Sequence, residues 1–177
     1  MIIKETTEAD LNDIWAVEQA AFKTEGEANL TKDLLADRTA QPTLSLLAYI
    51  DKQPVGHILF TKAYITGAPE VAASLLAPLA VVPKFQKQGI GGALIKRGIE
   101  LQAASGIDIV FVLGHPKYYP KFGFTPAAKY GFEPTYPIPA EVADAWMVQE
   151  LKPNMLGNVK GKVMGSNAMN RPENWRE

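Results

Sequence analysis

The sequence has no cysteine, and this absence excludes several kinds of chemistry. A chain without thiols forms no disulfide bond, no zinc–thiolate site and no acyl-cysteine intermediate. An excess of charge of one sign is also absent, since 18 basic residues nearly balance 19 acidic ones and leave a formal net charge of −1 at pH 7. The basic surface typical of nucleic-acid-binding proteins is therefore missing. We predict no metal site and no nucleic-acid partner.

Long hydrophobic runs are absent as well. No apolar stretch reaches the ~20 residues that a membrane-spanning helix requires. The segment Met1–Glu5 lacks the basic and then apolar pattern of a secretion signal. We therefore expect a cytoplasmic protein with no membrane partner.

What the sequence does contain is the composition of a globular domain, with 177 residues of which 47% are hydrophobic and 21% are charged. A chain of this length can bury a substantial core. We predict a single domain over residues 1–177, with its main body over about 1–151. We expect residues 152–177 to form a C-terminal extension with an extra strand, whose final part, Asn167 to Glu177, is polar and loose at its end.

Hydrophobic periodicity predicts three helices and seven strands along the chain. The first helix runs from a cap at Thr7 to about Phe22. Its inward side is predicted to consist of four apolar residues, Leu11, Ile14, Trp15 and Phe22. A second helix carries Leu30, Leu34 and Leu35 on one side, and a third covers residues 94–105. The predicted strands are residues 2–4, 44–50, 55–64, 71–82, 107–113, 142–151 and 159–164.

A glycine-rich stretch, Gln86 to Ala93, lies between an apolar strand and the third helix. Because glycine has no Cβ, we expect Gly89, Gly91 and Gly92 to permit positive φ and close approach of the backbone to a ligand. Successive N–H groups could then converge on an anion, with the positive end of the helix dipole behind them. The stretch therefore predicts a diphosphate-binding loop. A merely flexible connection is the alternative.

The spacing of this loop distinguishes among the nucleotide-binding families. A P-loop would close on Gly-Lys-Ser/Thr, whereas Gly91 is followed by Gly92-Ala93. A dinucleotide fingerprint would place a small residue where Leu94 stands and an acid after the next strand, which instead ends in Gly-His. Four basic residues around the loop, Lys84, Lys87, Lys96 and Arg97, either complement phosphate groups or form an ordinary solvated helix face.

A second motif, Gly114 to Phe124, contains the pattern Tyr-x-x-x-Gly-Phe from Tyr119 to Phe124. Together with Gln-x-x-Gly-x-Gly in the loop, this pattern resembles the GNAT family of N-acetyltransferases, and in particular its YhbS-like bacterial subgroup. The resemblance implies an α/β (α+β) fold with a mixed, mostly antiparallel central sheet, flanking helices and splayed central strands. It also implies an enzyme, working as a monomer or homodimer, that transfers an acetyl group from acetyl-CoA to a small-molecule or peptide amine.

The resemblance also assigns residues to acetyl-CoA. Those implied to bind it are Leu79, Ala80, Val81, Val82, Gln86, Lys87, Gln88, Gly89, Ile90, Gly91, Gly92, Ala93 and Tyr119. Among them, the Val81 N–H is expected to polarise the thioester carbonyl and Tyr119 to act as the general acid that protonates the leaving thiolate. Since cysteine is absent, we expect direct attack by the amine in a ternary complex.

The sequence offers several candidates for the general base. Pro78 stands where many members of the family carry a glutamate. The candidates for a base are His115, Glu25 and Glu27, with His57 as a minor one, because a histidine inside a strand is more often a hydrogen-bonded structural residue. The two glutamates could equally be solvated loop carboxylates. A non-catalytic acyl-CoA-binding module is therefore the alternative function, and a nucleotide-binding regulatory domain is disfavoured by the loop spacing.

Overall fold

The structure, a computed structural model, describes residues 1–176. It contains three α-helices, which are α1 (Leu11–Ala21), α2 (Gly26–Ala36) and α3 (Ile90–Ala104). The strands are β1 (Ile2–Glu5), β2 (Leu44–Ile50), β3 (Gln53–Ile65), β4 (Ala73–Val81), β5 (Ile109–Leu113), β6 (Thr125–Pro126), β7 (Phe132–Glu133), β8 (Trp146–Glu150) and β9 (Gly161–Met164). None of the helices in this part of the chain combines the length and the apolar character needed to cross a membrane.

The strands form one open sheet in the order β1-β2-β3-β4-β5-β8-β6, and β9 joins the far end of β3 to β7. Neighbouring strands are antiparallel except for the pairs β4–β5 and β7–β9. The β4–β5 pair is parallel because α3 returns the chain to the same end of the sheet between the two strands. The predicted mixed, mostly antiparallel sheet with flanking helices is thus confirmed.

The sheet opens between β4 and β5. Their ladder ends at the Leu76–Val112 pair, although β4 continues to Val81. On the other side of β4, Phe60 pairs with Leu76 and Ile58 pairs with Leu79, so β4 contains one extra residue at this point. This β-bulge includes Pro78, which has no N–H to donate to a neighbouring strand. The expected splay of the central strands is therefore present.

The two faces of the sheet carry different helices. Successive residues of β3 point to opposite faces of the sheet. Leu59 packs in a cluster with Leu34 of α2, whereas Phe60 packs in a cluster with Leu94 of α3 on the other face. Helix α1 lies on the same face as α2 and buries Ile14 and Val17.

The predicted inward side of the first helix was wrong at one residue. Leu11 is 48% exposed, and the buried stripe of α1 instead consists of Ile14, Val17 and Glu18. The cause is the start of the helix. Thr7 and Asp10 form a capping box around a short 3₁₀ turn, so that α1 begins only at Leu11, and this residue points outward.

The C-terminal segment also differs from its prediction. Residues 167–176 are here called the C-terminal strap. This polar segment was expected to be loose at its end, but Trp175 is only 1% exposed and its indole N–H donates to the Met169 carbonyl at 3.0 Å. The strap is tied to α2 and the turn after it by polar side chains, as in the bond from the Ala168 N–H to the Asp37 carboxylate at 2.9 Å. The extra strand predicted before it is present as β9, and Glu177 lies outside the described residues.

A buried polar chain joins α1 to the sheet. His57 on β3 is fully buried, with its Nδ1 2.6 Å from Glu18 Oε1 and its Nε2 2.8 Å from Ser45 Oγ. Burial raises the pKa of the Glu18 carboxyl, and the hydrogen bond from His57 opposes this shift. His57 therefore has the hydrogen-bonded setting expected of a structural histidine.

Replacing Trp175 tests whether the strap belongs to the core. Trp175→Ala removes a buried ring that packs on Trp146, and we expect it to lower the free energy of unfolding by about 3–5 kcal/mol in urea denaturation. Arg176→Ala, at the next and exposed position, is the matched control and should change it by less than about 0.5 kcal/mol. Equal small effects of both variants would mean that the strap is not part of the core.

Replacing His57 tests the buried pair. His57→Ala leaves the Glu18 carboxylate buried without its partner. We therefore expect the free energy of unfolding to fall by about 3–5 kcal/mol at neutral pH. Ser45→Ala should cost only ~1 kcal/mol. Because burial raises the pKa of the Glu18 carboxyl, the penalty should be smallest in acid, where the carboxyl is protonated, and should grow as pH rises through the folded-state pKa. A loss that is independent of pH in urea denaturation would contradict this explanation.

Candidate active site

The glycine-rich loop forms an anion-binding site at the start of α3. The helix begins at Ile90, inside the loop and four residues before the predicted start at Leu94. Gly89 precedes it with φ +85°, and Lys87 also has a positive φ of +61°. Within residues 1–176, no acceptor takes a hydrogen bond from the backbone N–H groups of residues 87 to 92. A row of N–H groups at a helix N-terminus is a favourable site for an anion.

The three glycines of the loop have different roles, since of the three only Gly89 has positive φ. Gly91 and Gly92 lie in the first turn of α3, with helical backbone and no room for a side chain. A Cβ at Gly91 would collide with the Tyr118 hydroxyl, and one at Gly92 would lie 2.8 Å from the Phe122 ring. The two motifs of the sequence are therefore in contact, and these glycines allow that contact.

The loop is anchored to the open end of β4. Gln86 Nε2 donates to the Val81 carbonyl at 3.1 Å, and Gln88 Nε2 donates to the Lys84 carbonyl at 3.3 Å. The Val82 N–H donates to the Val55 carbonyl of β3 at 2.9 Å. Because hydrogen bonds alternate between the two edges of a strand, the N–H of Val81 then faces the opposite edge, toward the opening between β4 and β5. The anion site and the opening thus adjoin each other.

The basic residues near the loop are exposed. Arg97 pairs with Glu100 one helical turn later, with 3.1 Å between Nη1 and Oε2, and the Lys84 ammonium lies 5.1 Å from the Phe85 ring centroid. Lys87 and Lys96 are also exposed, and the Lys96 ammonium lies 6.0 Å from the Phe122 ring centroid. Either predicted role, phosphate complementation or a solvated face, is compatible with these positions.

A cavity of about 570 Å³, here called the strap cavity, borders the same opening on the face that carries α1 and α2. The diverging strands contribute residues 76–79 and Leu113 to its wall, α2 contributes Glu27, and the C-terminal strap contributes Trp175. Tyr119, which is 8% exposed, also lines this cavity. The ends of the splayed strands are therefore accessible from this side.

Tyr119 is positioned by a short 3₁₀ turn, Tyr119–Phe122, that ends at Gly123 with φ +95°. Its ring lies against Gly114 and meets the rings of Tyr118 and Phe124 edge to face, with centroids 5.3 and 5.7 Å away. The neighbouring Tyr118 is half-buried, and burial raises the pKa of its phenol. Tight packing thus holds the Tyr119 ring at the edge of the opening.

The predicted base candidates are separated by the fold. Glu27 lines the strap cavity together with Tyr119, and the Thr24 hydroxyl donates to its carboxylate at 3.4 Å. Glu25, just ahead of α2, and His115, just after β5, are exposed and do not line the cavity. The structure therefore brings Tyr119 and Glu27 together and leaves Glu25 and His115 apart from them.

Sequence reasoning did not single out three charged residues. The strap residues Arg171 and Glu173 border the strap cavity, and no local pattern marked them because their position depends on distant contacts. Glu18 could have been found, since it follows Ile14 by four residues on the inner stripe of α1. A carboxylate at such a position requires a buried partner.

The arrangement suits an elongated ligand with an anionic group at one end and a reactive carbonyl at the other. The anion would lie at the N-terminus of α3, the chain of the ligand would occupy the opening, and the carbonyl would face the N–H of Val81. A second reactant could approach from the strap cavity, beside Tyr119 and Glu27.

Comparison with known proteins identifies the family of this chain. The family model described as an acetyltransferase (GNAT) domain matches residues 42–126. The N-acetyltransferase YjhQ of Escherichia coli K12 is 47% identical over 148 residues, which cover 82% of each chain. The N-acetyltransferase YhbS of the same organism is 30% identical over 172 residues, which cover 97% of this chain and 99% of YhbS.

Solved structures agree with the sequence matches. The crystal structure of Escherichia coli YhbS in complex with CoA superposes with a TM-score of 0.87 at 29% identity, covering 97% of this chain and 92% of that one. A GNAT-family acetyltransferase of Brucella melitensis in complex with acetyl-CoA gives a TM-score of 0.74 at 28% identity, covering 95% and 97%. The resemblance found in the two motifs is therefore confirmed, and the chain belongs to the GNAT family of acetyltransferases.

Proposed function

We propose that this protein is an acetyl-CoA-dependent N-acetyltransferase that acetylates a small primary amine. The observation that carries the proposal is the open edge of β4, which leads at one end to the loop with the unpaired N–H groups of residues 87–92 and contributes residues 76–79 to the wall of the strap cavity. The similar structures from Escherichia coli and Brucella melitensis contain CoA and acetyl-CoA, respectively, which supports the same use of the path here.

Acetyl-CoA binds along this path. Its diphosphate accepts hydrogen bonds from the loop, residues 86–93, at the positive end of the α3 dipole. Its pantetheine arm lies in the opening beside residues 79–82, and the thioester oxygen accepts from the N–H of Val81. The exposed Lys87, with its φ of +61°, adds a positive charge at the diphosphate.

The amine acceptor binds in the strap cavity and is a small molecule rather than a peptide. The strap closes this cavity on one side and is fixed to α2 by the bond from Arg171 Nη1 to the Asp33 carboxylate at 2.9 Å. The Asn167 N–H also donates to the Thr39 hydroxyl at 2.9 Å. A space of about 570 Å³ with a fixed wall suits a compact ligand.

The residues of the site perform three tasks in a direct transfer. Glu27 accepts the proton that the amine loses as its nitrogen bonds to the acetyl carbon. The Val81 N–H stabilises the negative charge that develops on the thioester oxygen. As the carbon–sulfur bond breaks, the Tyr119 phenol donates its proton to the thiolate and recovers one through solvent. The products are an N-acetylated amine and free CoA, and no residue of the protein carries the acetyl group.

A non-catalytic acyl-CoA-binding module is the second candidate, and one observation favours it. Pro78 lines the strap cavity at the position where the family resemblance places a glutamate base.

Thiol release from acetyl-CoA, measured with a panel of small primary amines and a panel of peptides, separates the two functions. We expect release with at least one small amine and none above background with peptides. Background hydrolysis alone throughout both panels, with tight acetyl-CoA binding, would identify the module instead.

Gly89 offers a test of the coenzyme loop. Gly89→Val places a β-branched residue at φ +85° and should displace the N–H groups from the diphosphate, raising the Kd for acetyl-CoA about tenfold or more in isothermal titration. Gly106→Val is the matched control, since Gly106 also has positive φ, +91°, has equally open surroundings and follows the other end of α3. Both variants should lose similar stability. Equal loss of affinity in both would refute the assignment of the loop.

Tyr119 offers a test of the chemistry. Tyr119→Phe keeps the ring and its packing but removes the proton donor, and a positioned acid typically contributes about 10²–10⁴ in rate. We expect kcat to fall within that range in steady-state assays with acetyl-CoA, while the Kd for acetyl-CoA changes little. Tyr118→Phe is the control and should retain kcat. A loss in the Tyr118 variant alone would shift the acid to that residue, and unchanged rates in both would leave Tyr119 with a packing role.

A further inference from the structure

A second and larger cavity, of about 950 Å³, lies between α1, α2 and the start of β2. It is here called the edge cavity. Helix α2 separates it from the strap cavity, because Lys32 lines the edge cavity whereas Asp33 lines the other. The proposed transfer reaction uses neither the edge cavity nor the buried polar chain of Glu18, His57 and Ser45.

This polar chain has the bonding order of a serine–histidine–acid triad. Ser45 Oγ lies 2.8 Å from His57 Nε2, and His57 Nδ1 lies 2.6 Å from Glu18 Oε1. An ionised carboxylate accepts hydrogen bonds and cannot donate them, so the ionised Glu18 holds the proton of the neutral imidazole on Nδ1. The nitrogen Nε2 is then free to accept the proton of the Ser45 hydroxyl. This is the arrangement in which a histidine activates a serine as a nucleophile.

The serine is the member of the chain that the cavity can reach. Glu18 and His57 are fully buried, so the hydrogen bond between them is shielded from water. Ser45 is 9% exposed and lines the edge cavity. Because its side chain reaches α1 through His57, it lies on the face of the sheet that carries α1 and the cavity. The serine therefore belongs to the floor of the edge cavity, and the histidine stands behind it in the core.

The backbone of Ser45 supplies a donor for the oxygen of a carbonyl group. The Thr6 N–H donates to the Ser45 carbonyl at 2.9 Å, so the backbone groups of Ser45 face the edge of β2 on which β1 lies. Pairing of β1 with β2 stops at the Glu5–Leu46 pair, and within residues 1–176 no acceptor takes a hydrogen bond from the Ser45 N–H. Thr6 and Thr7 line the cavity at this edge. In serine proteases, the N–H of the nucleophile is likewise one of the donors to the oxyanion.

The walls of the edge cavity favour an uncharged substrate with an apolar part. Leu11, Leu35 and Leu44 line the cavity and provide apolar surface. Glu5 and Glu8 also line it, and their negative charge disfavours a free carboxylate or phosphate. A volume of about 950 Å³ accommodates a short acyl chain together with the alcohol to which it is esterified.

We propose that Ser45, His57 and Glu18 form a second catalytic centre, which hydrolyses small carboxylic esters with an apolar acyl group. This centre needs no coenzyme A. Its existence does not depend on the proposed transfer reaction, which takes place on the other side of α2.

Hydrolysis proceeds through an acyl-serine. The Ser45 oxygen bonds to the carbonyl carbon of the ester as its proton passes to His57 Nε2, and the Ser45 N–H stabilises the charge on the carbonyl oxygen. The bond from this carbon to the leaving oxygen then breaks, and His57 gives the proton to that oxygen, which releases the alcohol. Water next attacks the acyl carbon and gives a proton to His57. This proton returns to the Ser45 oxygen as the carboxylic acid leaves, while Glu18 orients the imidazole throughout.

Hydrolysis of p-nitrophenyl butyrate in the absence of coenzyme A tests the activity, with release of p-nitrophenolate as the signal. We expect saturable turnover by the unchanged protein. Ser45→Ala removes the nucleophile and should lower kcat/KM at least about 100-fold, while the Kd for acetyl-CoA stays the same. Ser105→Ala removes an exposed serine hydroxyl just after α3, and as the matched control it should leave kcat/KM unchanged.

Covalent labelling locates the nucleophile in the unchanged protein and decides the question if Ser45→Ala fails to fold. An alkyl fluorophosphonate bonds through phosphorus to an activated serine oxygen and loses fluoride. Peptide mass spectrometry should place the adduct on Ser45 in the folded protein, and protein unfolded in urea should form none. The proposal is overturned if no adduct forms or if it forms on another residue. It is also overturned if folded Ser45→Ala hydrolyses the ester as fast as the unchanged protein.

Discussion

The break in the ladder between β4 and β5 is the constraint on which the rest of the site depends. A bulge that contains Pro78 ends this pairing at Leu76, while pairing with β3 continues on the other edge. The remaining residues of β4 therefore keep their place in the sheet but leave one edge open. Because an open edge within a sheet exposes backbone groups that need partners, the fold creates there a site for an extended ligand.

A second constraint fixes the two motifs against each other. Gly91 and Gly92 allow the aromatic side chains of Tyr118 and Phe122 to pack directly on the first turn of α3. The position of Tyr119 at the opening thus depends on the same helix whose N-terminus forms the anion site. A side chain larger than hydrogen at either glycine would therefore be expected to disturb both parts together.

Much of this arrangement could be predicted from the sequence, because it rests on local patterns. The hairpin of β2 and β3, the strand–helix–strand unit around α3 and the two motifs all follow from periodicity and glycine spacing. The strap could not be predicted, since the burial of Trp175 depends on contacts with residues far away in the sequence. The separation of Glu27 from Glu25 could not be predicted either, because positions two residues apart at a helix start point in different directions and only the tertiary fold decides which of them faces a cavity.

The most direct measurement of the central claim is a crystal structure of the protein with acetyl-CoA. The diphosphate should lie within hydrogen-bond distance of the N–H groups of residues 87–92. The thioester oxygen should lie at the N–H of Val81, with the acetyl group at the mouth of the strap cavity. Acetyl-CoA bound elsewhere, or a filled opening with the diphosphate away from the start of α3, would contradict it.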